Sequence, residues 1–343
     1  MASTRRLVGI DVARGLAILG MLWAHFAPDG TRDGLADGRS SILFVTLAGV
    51  SLGLLTGGPN PPLGPDRLRA AISVALRGFW LIALGRGLWT LGTPIAVILD
   101  YYGVLFLVLL PVLFAPRWVL ALVAAAAATA GALVVQSVGE DLNAAFAPAS
   151  PLQWPGQWFV TGFYPDLVWA AYVAIGLLLA RCDLGRRATQ LRMVAGGAAS
   201  SVVGYGVAAG LGLDAQAHSN TTWEVLGSGG VAVALIGVLL LTCTAPQTAR
   251  VLSPIAATGS MPLTIYTGQL LVLAIFLLIP RDEPGIEYWG LLGGIALASV
   301  VFAVLWRRFV GRGPMEQLMA TITDVGRKPP TTRLPQEQAR PVR

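Results

Sequence analysis

The chain has 343 residues, of which 55% are hydrophobic and only 12% charged, with a mean hydropathy of +0.68. Soluble domains carry roughly 25% charged residues, so these values exclude a soluble globular fold and point to a polytopic membrane protein with about 20 residues per span. The net charge of +6 does not indicate nucleic acid: arginines gather in short connections and in the tail, where they mark a cytoplasmic face and meet anionic lipid.

In chain order, the opening MASTRRLVGIDVARG carries Asp11 and Arg14 inside its apolar run and has no A-x-A-like cleavage site. It reads as a retained first span, not a cleaved signal. Ten spans follow from the hydropathy pattern, at about 7 to 27, 40 to 57, 71 to 90, 95 to 115, 118 to 136, 163 to 180, 193 to 212, 224 to 243, 254 to 279 and 288 to 306. An even count returns both termini to one side. With Arg5 and Arg6 inside, that side also holds Arg67, Arg69, Arg77, Arg117, Arg181, Arg186, Arg187, Arg192, Arg250, Arg307, Arg308 and Arg312, against only Arg32, Arg39 and Arg281 opposite. The positive-inside rule therefore predicts an all-α bundle of about ten transmembrane helices with both termini cytoplasmic. Residues 1–322 form the bundle and 323–343 a disordered basic cytoplasmic tail, too rich in proline for regular structure.

The opposite loops hold Asp29, Asp33, Asp37, Glu140, Asp141, Asp214, Asp282 and Glu283. The longest of them, about 137 to 162, interleaves aromatic residues with Pro and Gly, as expected of a segment at the interface or folded over a cavity. GGPNPPLGPDRLR is a rigid turn without a phosphate-loop or dinucleotide fingerprint. VAGGAASSVVGYGVAAG suits close helix packing in a membrane, and GPMEQLMATITDVG suits a short amphipathic helix on the cytoplasmic face with Pro314 in its first turn. Cys182 and Cys243 are the only cysteines and imply no disulfide framework. Two histidines exclude a multi-histidine zinc site, and no metal is expected.

Charged and polar residues inside spans mark function, because hydrocarbon penalises them. Arg14 and His25 lie eleven residues apart, nearly three helical turns, and so project from one face about 16 Å apart along the axis. Asp11 sits one turn below Arg14 and pairs with it. Arg86, Asp100, Asp166, Glu224 and Gln269 add further polar groups in or near spans. An imidazole removes a proton from a hydroxyl or amine near neutrality and a carboxylate orients it, while an arginine at the other mouth binds phosphates of an anionic donor. In HSNTTWEVLGS, His218 belongs to an outer loop that folds over Glu224, the first choice of acidic partner for His25. Asp166 is the second.

Several blocks carry a family resemblance. RLVGIDVARGLAILGMLWAH resembles the first-helix signature of membrane acyltransferases related to heparan-alpha-glucosaminide N-acetyltransferase and the bacterial YeiB-like proteins. WFVTGFYPDLVWAAYVAIGLLLAR, PIAATGSMPLTIYTGQLL and GPMEQLM look like further blocks of that superfamily, so the likeness runs from residue 6 to about 319. It implies a ten-helix core that takes acyl coenzyme A, expected to be acetyl coenzyme A, at the cytoplasmic side and modifies a sugar or glycolipid hydroxyl or amine at the other. Asp11, Arg14 and Gly15 match its entrance motif and His25 its histidine. The lysosomal enzyme places its critical histidine in the loop after the first helix, where this chain has none. Either His25 takes that role or this branch transfers groups differently.

The expected mechanism places Arg14, with Arg77 or Arg69, on the coenzyme A phosphates and His25 as base, oriented by Glu224 or Asp166. Thr264, Tyr266 and Gln269 supply the oxyanion or acceptor pocket. A histidyl-acyl intermediate is the second route. The expected partners are membrane lipids and a saccharide or glycolipid acceptor, the homo-oligomeric state is open, and the setting is a bacterial inner membrane. The rival reading is a transporter or flippase, in which buried charges bind substrate during alternating access.

Overall fold

The computed structural model describes residues 7–28, 36–145, 153–279 and 289–324, all of whose regular structure is helical. The tail beyond 324, Arg5, Arg6, Arg32, Arg281 and the loop acids Asp29, Asp33, Asp282 and Glu283 lie outside the described residues.

Helix α1 (Val8–Phe26) buries Ile10, Ala13, Ala17, Ile18 and Leu22 and ends where Ala27 turns extended before Pro28, since a residue preceding proline is pushed out of the helical region. Helix α2 (Arg39–Leu55) begins after Gly38, whose φ of 62° needs glycine, and returns antiparallel to α1. Helices α3 (Pro65–Trp89) and α4 (Leu99–Val108) form a second antiparallel pair. Gly78 and Gly103 face one another's backbones there with no room for a side chain.

Helix α5 (Arg117–Ala126) passes through a π turn at Ala127–Gly131 into α6 (Ala132–Ala145). The looser turn frees a carbonyl at Ala128, and the Thr222 hydroxyl donates to it at 2.7 Å. Helix α7 (Gln153–Gly156) runs through a second π turn, Gln157–Thr161, and bends by 59° into α8 (Asp166–Ala180). Helices α9 (Arg187–Leu211) and α10 (Thr222–Thr242) pack along their length through the small-residue stretch. Gly197 and Gly204 lie against the backbones of Ala234 and Gly227, and the Ser200 and Ser201 hydroxyls donate to the Leu226 and Gly227 carbonyls at 2.9 and 2.7 Å. Apolar lipid offers helices no hydrophobic reward for associating, so close backbone approach and such hydrogen bonds hold the pair together.

Helices α11 (Pro246–Val251), α12 (Ser253–Gly259) and α13 (Pro262–Leu277) follow, with an 80° bend between the last two, then α14 (Trp289–Phe309) and α15 (Pro314–Thr323). Among the described residues, six helices are long and apolar enough to cross a membrane, and up to eight spans result if each bent pair counts as one. Helices occupy all ten segments expected from hydropathy, but some are short: α2 has 17 residues, α8 has 15 and α4 has 10. At 1.5 Å per residue α4 reaches about 15 Å, half of a hydrocarbon core of about 30 Å.

Arg181, counted in the sequence as a cytoplasmic loop charge, is only 5% exposed. Its guanidinium donates to the carbonyls of Gly53, Thr56, Gly58 and Leu113 and to the Thr56 hydroxyl, at 2.6 to 3.3 Å. It closes the C-terminal end of α2, whose last carbonyls have no partner within the helix.

Candidate functional site

Two ends of the bundle gather chemistry. At one, which we term the basic end, the Arg14 guanidinium pairs with Asp11 at 3.1 Å and donates to the Ser51 hydroxyl at 2.8 Å. Arg14 and Ser51 line a chamber of ≈ 290 Å³ whose other walls include Phe44, Leu47, Leu81, Tyr102 and Leu263. Leu55 and Arg77 belong both to this chamber and to a vestibule of ≈ 460 Å³, which also holds Arg69, Ser73, Arg312, Glu316 and Asp324. Three of the five residues expected to hold a donor, Arg14, Arg69 and Arg77, therefore line two cavities that share walls. Asp11 reaches the chamber through its ion pair with Arg14. Gly15 serves packing instead: a side chain there would strike the Ile255 carbonyl, just as one at Gly259 would strike that of Asp11, so the two glycines lock α1 against α12.

Helix α15 forms one wall of the vestibule. The Glu316 carboxylate accepts from the Leu263 and Thr264 N–H groups at 2.6 and 3.1 Å and from the Thr264 hydroxyl, at the positive end of α13 where an anion is favoured. The Arg77 guanidinium meets the Met319 sulfur at 3.0 Å.

Of Thr264, Tyr266 and Gln269, the first and last line one lateral cleft of ≈ 430 Å³ between α13 and α14. Thr264 is also held by Glu316, and Tyr266 turns away to accept the Ile98 N–H at 3.2 Å.

At the opposite, aromatic end, α10 begins with a cap that reaches across its own loop. Thr221 accepts the Glu224 N–H at 3.1 Å, and the Glu224 carboxylate accepts the backbone N–H groups of His218 and Asn220, each at 2.7 Å. Both of those residues have positive φ, 61° and 53°, a region that costs a non-glycine residue energy and persists only when its surroundings enforce it. Glu224 thus organises the His218 loop through its main chain. The His218 ring lies 5.6 Å from Tyr164, 6.4 Å from Phe163 and, stacked, 6.4 Å from Trp169. Its Nε2 is 3.9 Å from an Asp37 oxygen, and Gly38 seats against Ala217 beside it. Trp169 is fixed in turn by donating to Asn220 at 2.9 Å. Burial pushes the His218 imidazole below its ordinary 6.5, with Asp37 opposing.

His25 occupies the last turn of α1, half-buried, with its ring edge-on to Phe26 at 6.4 Å. Asp166 is 2% exposed, and among the described residues neither of its carboxylate oxygens has a hydrogen-bond partner. It lies within electrostatic reach of Asp100 and Tyr101. Asp100 is itself held by Arg86 at 3.5 Å and by the Trp158 indole N–H at 2.9 Å.

Residues 179–325 match a family model described as Protein of unknown function (DUF418). The DUF418 match covers under half of the chain, from the end of α8 through α15. It takes in His218, Glu224, Gln269 and Glu316 and leaves out Arg14 and His25. Comparison with curated proteins gives no match. The chain is thus a multi-pass, all-α membrane protein with a DUF418-like C-terminal part. Sequence reasoning missed two organising residues there: Glu316, whose signal was an acid in the first turn of a proline-started amphipathic helix, and Asn220, which carried no signal beyond a turn-prone residue type.

Proposed function

We propose that this protein is a membrane acyltransferase that moves an acyl group from coenzyme A, acetyl in the first instance, to a hydroxyl or amine of a sugar or glycolipid across the membrane. One observation carries the reading: an arginine-lined vestibule shares Arg77 and Leu55 with a mostly apolar chamber whose walls include Arg14, Ser51 and Tyr102. A donor with a phosphate-rich head and a thin arm needs both parts. Guanidinium groups bind phosphates in paired, charge-assisted geometry, and an apolar sleeve strips water from a thioester. The YeiB-like resemblance of the first helix supports the same donor. In this reading the basic end faces the cytoplasm with both termini, the ten helical segments act as ten spans of a bacterial inner membrane, and the acceptor meets the aromatic end, where His25 is the base expected from the sequence.

The test is titration of the purified protein in nanodiscs with acetyl coenzyme A. Binding should weaken with rising salt and fall about 10- to 100-fold on Arg77→Ala, the scale of a lost hydrogen bond to a charged group. Equal affinity in Arg77→Ala would refute the vestibule as the donor site. The broken span between α12 and α13 favours a transporter as the second reading. Sugar-dependent flux in proteoliposomes without acyl transfer would establish it.

A further inference from the structure

A second group of cations at the basic end takes no part in the donor reading. Arg117, Arg181, Arg186 and Arg192 line a cavity of ≈ 430 Å³ bounded by Pro59 of the turn after α2 and by Met193 of α9. Independently of the acyltransferase reading, we propose that this cavity and the groove beside it seat one anionic phospholipid of the surrounding bilayer, its phosphate among the arginines and an acyl chain in the groove. Among the described lining residues the four arginines meet one acid, Asp183, which accepts the Gly185 N–H at 3.0 Å and pairs with Arg186 at 3.8 Å. The Arg117 guanidinium reaches the Cys182 sulfur at 3.9 Å. No described carboxylate pairs with Arg117, Arg181 or Arg192. Arg181, 5% exposed, gives its hydrogen bonds to carbonyls and a hydroxyl alone, and its Nε has no hydrogen-bond partner among the described residues. A guanidinium taken out of water without a counter-ion is costly, so the cavity wall favours an anion.

The backbone adds to that charge. Arg117 is the first residue of α5, Arg186 immediately precedes α9, and neither helix start has a side-chain cap. Two positive helix ends therefore border the same cavity, and uncapped first-turn N–H groups with the dipole behind them attract phosphate. Trp118, exposed beside Arg117, is of the type that anchors at headgroup level.

The apolar half of the site begins where the arginines stop. Gly196, Gly197 and Val233 belong both to the basic cavity and to a second one of ≈ 270 Å³, whose other walls include Ala124, Ala128 and Gly229. Gly196 lies about 14 Å along the axis from the start of α9, a depth reached by a lipid chain within one leaflet of a hydrocarbon core of about 30 Å. A side chain at Gly196 would meet nothing within 4 Å, and Leu122 and Leu191 are exposed on the same two helices, so the groove opens toward hydrocarbon. A free phosphate or a nucleotide would use the arginines and leave this groove empty, whereas a phospholipid uses both. Basic pockets beside apolar helix surfaces select anionic headgroups. A zwitterionic lipid would set its own ammonium among the guanidinium groups, while the glycerol of phosphatidylglycerol brings hydroxyls and no cation.

The experiment uses the full chain in detergent, exchanged against phosphatidylglycerol or phosphatidylcholine of equal chain length, with native mass spectrometry counting the lipid retained. The wild type should hold one phosphatidylglycerol about tenfold more strongly than phosphatidylcholine. Replacing Arg117 and Arg192 together by Gln should weaken that retention about 25-fold, at about fivefold for each basic residue near an anionic headgroup. Gly196→Leu tests the groove separately: it fills the space without striking a neighbour and places a better helix former inside α9. Phosphatidylglycerol retention should fall about tenfold in that variant while its melting in lipid-free detergent stays at or above that of the wild type. Equal retention of the two lipids by the wild type, or undiminished phosphatidylglycerol retention in either variant, would overturn the proposal. Displacement of the lipid by inorganic phosphate would overturn it in favour of a free anion, and displacement by acetyl coenzyme A in favour of a nucleotide site.

Discussion

The two ends of the bundle solve the same problem, holding polar groups where lipid or packed protein surrounds them, by different means. The basic end relies chiefly on side chains meeting side chains, Arg14 on Asp11 and Ser51, with Glu316 bonding both the Thr264 hydroxyl and the Leu263 and Thr264 N–H groups. The aromatic end relies on a side chain meeting backbone, with Glu224 bonded to the N–H groups of His218 and Asn220. The first arrangement leaves its cations facing a cavity and able to exchange partners. The second spends its carboxylate on loop shape. The contrast teaches that a buried carboxylate and a nearby histidine need not form a catalytic pair, because the acid can act entirely through the main chain.

The comparison can be broken most forcefully where α1 crosses α12. Gly259→Leu drives a side chain into the Asp11 carbonyl, and with no flexible neighbour to yield the cost should reach or exceed the ~1–3 kcal/mol typical of overpacking. Melting in detergent should fall by many degrees, and acetyl coenzyme A binding should be lost with it. Next, Glu316→Ala removes a carboxylate that accepts two N–H groups and a hydroxyl. A loss of about 1.5–3 kcal/mol is expected, confined to α15, so amide exchange should accelerate across Pro314–Thr323 and leave α9 and α10 unchanged. At the other end, Glu224→Ala should deprotect the 214–221 loop by a similar or smaller amount without altering exchange in α15. If either variant loosened both ends equally, the two would not be separate units.

The pH response is smaller still and has a definite sign. His218 titrates below 6.5 when folded because of burial, so in the window beneath 6.5 the unfolded chain binds a proton that the folded loop refuses. The His218 contribution is therefore complete above 6.5 and declines as pH falls through that value, by at most about 1.4 kcal/mol per pH unit. The difference between wild type and His218→Gly in exchange of the 214–221 amides, compared at pH 7.5 and 5.5, should show it. The smallest effect is expected at Arg69 and Asp66, an exposed pair at 3.0 Å. Asp66→Ala should change melting by less than about 0.5 kcal/mol, since water already screens such pairs.

The helices were legible in the sequence because apolar runs and glycine-rich stretches act locally: VAGGAASSVVGYGVAAG packs as its composition required. The ion pair of Asp11 with Arg14 followed from one turn of helix. What sequence spacing left open depended on contacts between distant segments. Gly15 sat beside Arg14 in a motif and so looked like part of a donor site, whereas its role is set by Ile255, 240 positions later in the numbering. Arg181 looked like one more loop charge because nothing local reveals that α2 and the turn before α5 converge on it. Thr264, Tyr266 and Gln269 were grouped by nearness along the chain; Thr264 and Gln269 do share a cleft, while Tyr266 turns to the Ile98 N–H.

Arg181 also bears on the order in which the protein is made. Its guanidinium joins the close of α2, the turn after it and the Leu113 carbonyl, all of which leave the ribosome before α8 does. The Gly53 carbonyl also accepts the Gly58 N–H at 2.8 Å, so what the guanidinium alone supplies is the tie between this turn and Leu113. A nascent protein truncated before residue 181 should therefore be cut by membrane proteases faster than one extended just past it.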